Sequence, residues 1–160
     1  MTSRGGNSGL FTRRAFLIGG GALAVVWGVR EYRLTPPDHD GTKLSASEAH
    51  ERAVAGALLL IDIRTPREWQ ATGIGEGAHP IDMRRSDFVE ALTALAGPDR
   101  NREIGVICAR GVRSARMSIE LARAGFTKIV DVPEGMLGSR AGPGWLKSGL
   151  PVRAYQGNSE

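Results

Sequence analysis

The sequence predicts a three-layer α/β domain, with a small central and mainly parallel sheet flanked by helices, preceded by an N-terminal hydrophobic segment. Three observations predict it. Short continuous apolar runs recur along the chain, as expected for strands covered on both faces. Helix-start signals and amphipathic stretches separate those runs, so the strands are joined by crossovers and pair in parallel. The 160 residues, 41% hydrophobic and 24% charged, suffice for one soluble domain plus an appendage.

The appendage comes first. Thr12, Arg13, Arg14, Ala15, Phe16 and Leu17 lead into an apolar, glycine-rich run that ends at Val29, a charged region followed by a hydrophobic one. This resembles a bacterial twin-arginine export signal, which implies translocation of a folded protein to the periplasm. A plain membrane anchor with flanking arginines is the other reading, and both place the domain outside the cytoplasm. Trp27, Gly28, Val29, Arg30 and Glu31 offer no small-residue cleavage site. Residues 15–29 are therefore expected either to be removed or to hold the protein at the inner membrane, although the run is short for a spanning helix. The expected limits are 1–34 for this signal or anchor, 35–42 for a proline-stiffened linker that includes His39, and 43–156 for the domain.

Within the domain, Ser45 and Glu48 have capping-box spacing ahead of an alanine-rich stretch and predict a helix to Ala55. Ala57, Leu58, Leu59, Leu60 and Ile61 predict a strand that ends at Asp62. Thr65, Pro66 and Glu68 form a second capping box with proline in the first turn. Ser86 and Asp87 open an amphipathic helix with Phe88, Leu92 and Leu95 on one face, closed by Gly97 and Pro98. Ile104, Gly105, Val106 and Ile107 predict a strand leading into Cys108. A helix over 114–124, with Ala115, Ile119 and Ala122 inward, precedes a strand at Ile129, Val130 and Val132. Trp69 and Trp145 are expected as core anchors. In such sheets ligands bind beyond the carboxyl ends of the strands, where Asp62 and Cys108 fall.

Cys108 is the single cysteine of the chain, so an intrachain disulfide and a cysteine-only metal cage are both excluded. It stands between a strand and a helix, followed by Ala109, Arg110, Gly111, Val112, Arg113 and Ser114. A thiol there faces unpaired backbone N–H groups and the positive end of a helix dipole, which favour the thiolate. Arg110 and Arg113 add two cations, and Gly111 allows the loop to curl so that its amides converge. A buried filler cysteine is the alternative.

This loop resembles that of the rhodanese family, which reads Cys, two variable residues, Gly, one variable residue, Arg; Cys108, Gly111 and Arg113 fit it. The stretch from Leu60 to Trp69, with Gly77 and Ala78, resembles the family's first signature. Gly125, Phe126, Gly135, Trp145, Gly149, Leu150, Pro151 and Val152 resemble its closing one. The resemblance implies that Cys108 takes the outer sulfur of a donor such as thiosulfate as a persulfide and passes it to a thiol, cyanide or protein acceptor. Residues 109–114 would bind the donor anion, Asp62 and Arg64 would support the site wall, and neither metal nor other cofactor is implied. The related phosphatases of the cell-cycle type have five residues between Cys and Arg, whereas four lie between Cys108 and Arg113, which disfavours an arsenate- or phosphate-directed enzyme. The chain departs from the family at Thr72–Ala78, one residue longer and without the usual histidine, and in the lengthened stretch from Ser139 to Gly144.

The net charge of +4 raises the question of nucleic acid, but no run of Lys and Arg stripes the domain and no aromatic residues interleave with the basic ones. Three readings of the domain remain: an exported sulfurtransferase, a non-catalytic module of the same fold that binds sulfur or a protein partner, and an arsenate- or phosphate-directed cysteine enzyme, which the loop length disfavours.

Overall fold

In the structure, a computed structural model, residues 34–157 are described. The twin-arginine motif and the hydrophobic run expected over 1–34 therefore lie outside the described residues, Leu34 apart. The chain divides after Thr35, and the unit that carries the sheet begins at Pro36.

The central sheet has five strands: β1 (Thr42–Lys43), β2 (Leu59–Asp62), β4 (Ala78–Pro80), β5 (Ile104–Ile107) and β6 (Ile129–Val132). Their spatial order is β1-β6-β5-β2-β4 and every pairing is parallel. The three long central strands are buried along their whole length, which is why the sequence there, Asp62 and Asp131 apart, is apolar instead of alternating. β3 (Ile74–Gly75) and β7 (Val152–Arg153) form a separate antiparallel pair.

Helices cover both faces. On one side α3 (Phe88–Ala96) and α4 (Val112–Arg123) pack Phe88, Leu92, Met117 and Leu121 against Leu59, Ile61 and Val106. On the other, α1 (Ala46–Val54), α2 (Pro66–Thr72) and the short α5 (Gly144–Lys147) bring Ala49, Trp69 and Trp145 onto Leu60, Ile107 and Val132. Each fully buried leucine or isoleucine in these layers contributes about 1.5–3 kcal/mol of transfer free energy. Both capping boxes form: Ser45 with Glu48 starts α1, and Thr65 with Glu68 starts α2, with Pro66 in its first turn.

Three expectations are corrected. α3 buries Phe88, Leu92 and Ala96, whereas Leu95 is exposed, because the helix turns its narrow 88–92–96 stripe to the sheet. α4 starts at Val112, two residues before the expected Ser114, and buries Ser114, Ala115, Met117, Ser118 and Leu121 in place of Ile119 and Ala122. Its serines face the sheet beside the Cys108 loop, a polar choice that a hydrophobicity pattern cannot see. His39 is more than a linker residue: its ring nitrogen Nε2 reaches Asp131 on β6 at 3.2 Å. No helix among the described residues is long and apolar enough to cross a membrane.

Candidate active site

Asp62, Ile107 and Val132 lie side by side at the carboxyl ends of β2, β5 and β6. Cys108 is the next residue after β5, where the chain leaves the sheet. The Cys108 loop is pinned to the segment after β6: Met136 N–H donates to the Cys108 carbonyl at 2.8 Å, and Leu137 N–H to that of Ala109 at 2.9 Å. The loop runs so close to this segment that a Cβ on Gly111 would stand 2.2 Å from the Pro133 carbonyl oxygen. Gly111 also has φ +85°, a left-handed conformation that glycine adopts without strain. As N-cap of α4, it turns its N–H toward Cys108 and donates to Sγ at 3.2 Å. The sulfur thus lies near the positive end of a 12-residue helix with one amide aimed at it.

The two loop arginines do different things. Arg110 is exposed at the rim and donates to the Gly138 carbonyl at 3.3 Å. Arg113 directs both terminal nitrogens to Glu68, at 2.9 Å to Oε2 and 2.5 Å to Oε1. Glu68 Oε2 also accepts from the Thr65 amide and hydroxyl in the α2 capping box. The Arg113 guanidinium, aided by these Thr65 bonds and against burial, holds the Glu68 carboxyl down at about 2. Arg113 is itself raised, first by Glu68 and then, against burial, by the nearby Cys108 sulfur. Glu68, read from the sequence as a helix cap alone, therefore also orients the arginine beside the sulfur. Only its three-residue spacing from Thr65 was visible in the sequence; the 45-residue separation from Arg113 carries no local signal.

Asp62 and Arg64 form a buried pair, 0% and 1% exposed. Arg64 Nη2 and Nε reach Asp62 Oδ2 at 2.6 and 3.0 Å, while Nη1 donates to Thr72 Oγ1 at 2.7 Å and Nη2 to the Gly73 carbonyl at 2.7 Å. With those donors engaged, Arg64 ties β2 to the end of α2 and does not point into the loop.

Cys108 is 1% exposed and belongs to the core layer formed with α3 and α4, more enclosed than a reactive thiol usually is. Beneath it lies a polar group that the sequence does not announce. The Cys108 thiol donates to Ser114 Oγ at 3.7 Å, and the Ser114 hydroxyl donates to the Gly111 carbonyl at 3.1 Å. Asp131 on β6 is 1% exposed; Oδ2 meets His39 at 3.2 Å, while Oδ1 is buried without a hydrogen-bond partner. Burial pushes the Asp131 carboxyl up, opposed by Ser114, His39 and Lys43. Of the remaining loop residues, Ala109 and Val112 are partly buried. No cluster of His, Cys, Asp and Glu able to hold a metal occurs among the described residues.

Residues 45–140 match the family described as Rhodanese-like domain. Thiosulfate sulfurtransferase 16, chloroplastic, of Arabidopsis thaliana is 31% identical over 122 residues, 71% of this chain and 93% of that one. Among solved structures, the polysulfide-sulfur transferase homodimer of Wolinella succinogenes superposes with a TM-score of 0.56 at 24% identity, covering 87% of this chain and 93% of that one. The thiosulfate sulfurtransferase of Pseudomonas aeruginosa superposes with a TM-score of 0.56 at 22% identity, over 72% of this chain and 21% of that one. The latter two likenesses speak to the fold.

Proposed function

The chain belongs to the rhodanese-like domain family, and from that premise we propose that it moves a sulfane sulfur through a Cys108 persulfide. Family and relatives support sulfur transfer in general; the donor and acceptor are this proposal's own. The observation that carries it is the Gly111 amide 3.2 Å from Cys108 Sγ, at a helix N-terminus, with Arg113 beside the sulfur. That arrangement stabilises a sulfur anion before and after transfer.

In the proposed cycle, the Cys108 thiolate attacks the outer sulfur of a donor such as thiosulfate. The donor's S–S bond breaks, sulfite leaves with the electron pair, and a new S–S bond forms on Cys108. An acceptor nucleophile, a thiol or cyanide, then attacks that outer sulfur and returns the electron pair to Cys108. Persulfide formation places the reactive sulfur about 2 Å further from the protein than Sγ, which relieves the enclosure of the thiol in the second step. Arg110, exposed at the rim, meets the incoming anion, residues 109–114 surround it, and Asp62 with Arg64 holds the wall behind. With a single cysteine in the chain, no second thiol resolves the persulfide, so the sulfur is discharged to an external acceptor.

The test is intact-mass measurement after exposure to thiosulfate, followed by turnover with cyanide. The expected result is an adduct of about 32 Da, one sulfur, on Cys108, absent in Cys108→Ser, which is also inactive. The 1% exposure of Cys108 favours a second reading, a non-catalytic sulfur- or protein-binding module. Absence of the adduct in the parent protein decides for it.

The proposal extends to place. The Thr12–Leu17 motif would export the folded domain by the twin-arginine route in a bacterial host, soluble in the periplasm after cleavage or anchored through residues 15–29. Replacing Arg13 and Arg14 together by lysine should leave the protein in the cytoplasm; unchanged export refutes this route.

A further inference from the structure

The proposed cycle makes no use of Glu134. This residue follows the end of β6 and is buried, 8% exposed. A buried carboxyl needs hydrogen bonds to offset its lost hydration. The Gly144 N–H, which opens α5 and has no partner within that helix, donates to Glu134 Oε2 at 2.9 Å. Gly142 packs on the same carboxyl, so closely that a Cβ there would stand 2.5 Å from Glu134 Cδ. The Glu134 side chain therefore fills the inside of the turn from Ser139 to Gly144, the stretch that is lengthened in this chain.

The turn is closed around that side chain. Ser139 N–H donates to the Gly142 carbonyl at 3.0 Å, Ala141 N–H to Ser139 Oγ at 3.0 Å, and the Ser139 hydroxyl to the Pro133 carbonyl at 2.8 Å. Its two limbs touch: a Cβ on Gly138 would stand 2.5 Å from the Pro143 carbonyl oxygen. Past the turn, Trp145 N–H donates to the Gly135 carbonyl at 3.0 Å and Leu146 N–H to that of Met136 at 3.1 Å. Residues 135–137 thus run between α5 on one side and, through the bonds to Cys108 and Ala109, the Cys108 loop on the other. Gly138 stands where this segment enters the turn, and its carbonyl accepts from Arg110 Nη1 at 3.3 Å. A guanidinium carries its N–H donors in a rigid planar fork. Tethering one of them leaves the others for an anion and removes part of the rotamer freedom that an exposed arginine otherwise loses on binding.

We propose that Glu134 is a positioning residue for the donor anion: from inside the 139–144 turn it fixes the Gly138 carbonyl, which holds the Arg110 fork at the rim of the Cys108 loop. The inference rests on the reading of Arg110 as the group that meets the incoming anion. Each link is a short contact between neighbours, from the Glu134 carboxyl to Gly142 and Gly144, from those to Gly138, and from Gly138 to Arg110. What the turn needs from position 134 is an oxygen that accepts the Gly144 amide. An amide side chain of the same length supplies it and a methyl group does not.

The experiment measures the dissociation constant of sulfate, a dianion shaped like thiosulfate but with no sulfur to give, by following the amide resonances of residues 109–114 at low ionic strength. Arg110→Ala should weaken binding about tenfold, the effect of losing one charged hydrogen bond. Glu134→Ala should weaken it about fivefold, because the fork keeps its charge and loses its aim. Glu134→Gln should stay within about twofold of the parent, since it still accepts the Gly144 amide. The double variant Glu134→Ala with Arg110→Ala should bind no more weakly than Arg110→Ala alone, because the two residues act through one contact. A general loosening of the loop would instead multiply the two losses and would not be rescued by glutamine. Should Glu134→Ala fail to fold, Ser139→Ala, which frees the same turn from Pro133, should weaken binding in the parent and add nothing to Arg110→Ala. Parent-like affinity in Arg110→Ala or Glu134→Ala, a glutamine variant as weak as the alanine one, or multiplied losses in the double variant each overturn the proposal. No sulfur is transferred in this titration. A failed titration therefore leaves the mass adduct standing, and a missing adduct leaves the titration standing.

Discussion

Replacing Gly111 by alanine tests the loop at its tightest point. Two costs are separable. The first is conformational: at φ +85° an L-residue is strained by about 1–2 kcal/mol. The second is contact. The new Cβ would stand 2.2 Å from the Pro133 carbonyl oxygen, so loop and neighbour must part by about 1 Å to reach ordinary packing distance. The Pro133 side is held by the segment that bonds to Cys108 and Ala109, so the displacement falls largely on the loop. The Gly111 N–H, at 3.2 Å from Sγ, then leaves hydrogen-bonding range. We expect Gly111→Ala to lose about 2–3 kcal/mol of stability in urea denaturation. Loss of a donor aimed at a developing sulfur anion should lower sulfur transfer a further ~100-fold, measured as thiosulfate-to-cyanide turnover on the folded fraction. Gly125→Ala is the control. It has φ +92° at the end of α4 with nothing within 4 Å of the added carbon, so it should cost about 1 kcal/mol and leave turnover unchanged. Equal losses of activity in the two variants would refute the reasoning, because strain alone would then explain the result.

Further outcomes are expected at the charged groups. Asp62→Asn removes the partner of a fully buried arginine and should destabilise by about 3–5 kcal/mol in denaturant unfolding; a change below about 1 kcal/mol would mean that Arg64 is satisfied by Thr72 and Gly73 alone. Glu68, held at about 2 by Arg113, has a folded value below its ordinary 4.5. Its contribution is therefore present above about pH 5 and is lost as pH falls toward 2. The Arg113–Glu68 pair is part-exposed, so solvent screening limits that contribution to about 1 kcal/mol. Stability measured across this window should fall less steeply in Glu68→Gln than in the parent; identical slopes would show that the pair adds nothing to stability.

What the sequence alone determined is local or periodic. Ser45 with Glu48 and Thr65 with Glu68 each satisfy orphan amides within three residues, so both helix starts were legible without tertiary context. The runs at 59–62, 104–107 and 129–132 are apolar but for Asp62 and Asp131, because parallel strands are covered on both faces, and from them came the layers and the parallel sheet. Cys108 at a strand end, Gly111 and the arginines gave the loop its chemistry. Strands of two residues, as at Thr42–Lys43 and Val152–Arg153, carry no period to read. The inward phase of α4 went to Ser114 and Ser118 and not to Ile119, because the helix meets the sheet where polar groups gather. The pairings beyond the loop, Arg113 with Glu68 and Asp131 with His39, join residues far apart in the chain. Only the tertiary structure decided them, since burial and distance make an ion pair or an orphaned carboxylate, and neither is a property of sequence neighbours. Tertiary packing likewise enclosed the cysteine that the sequence had placed in an open cradle.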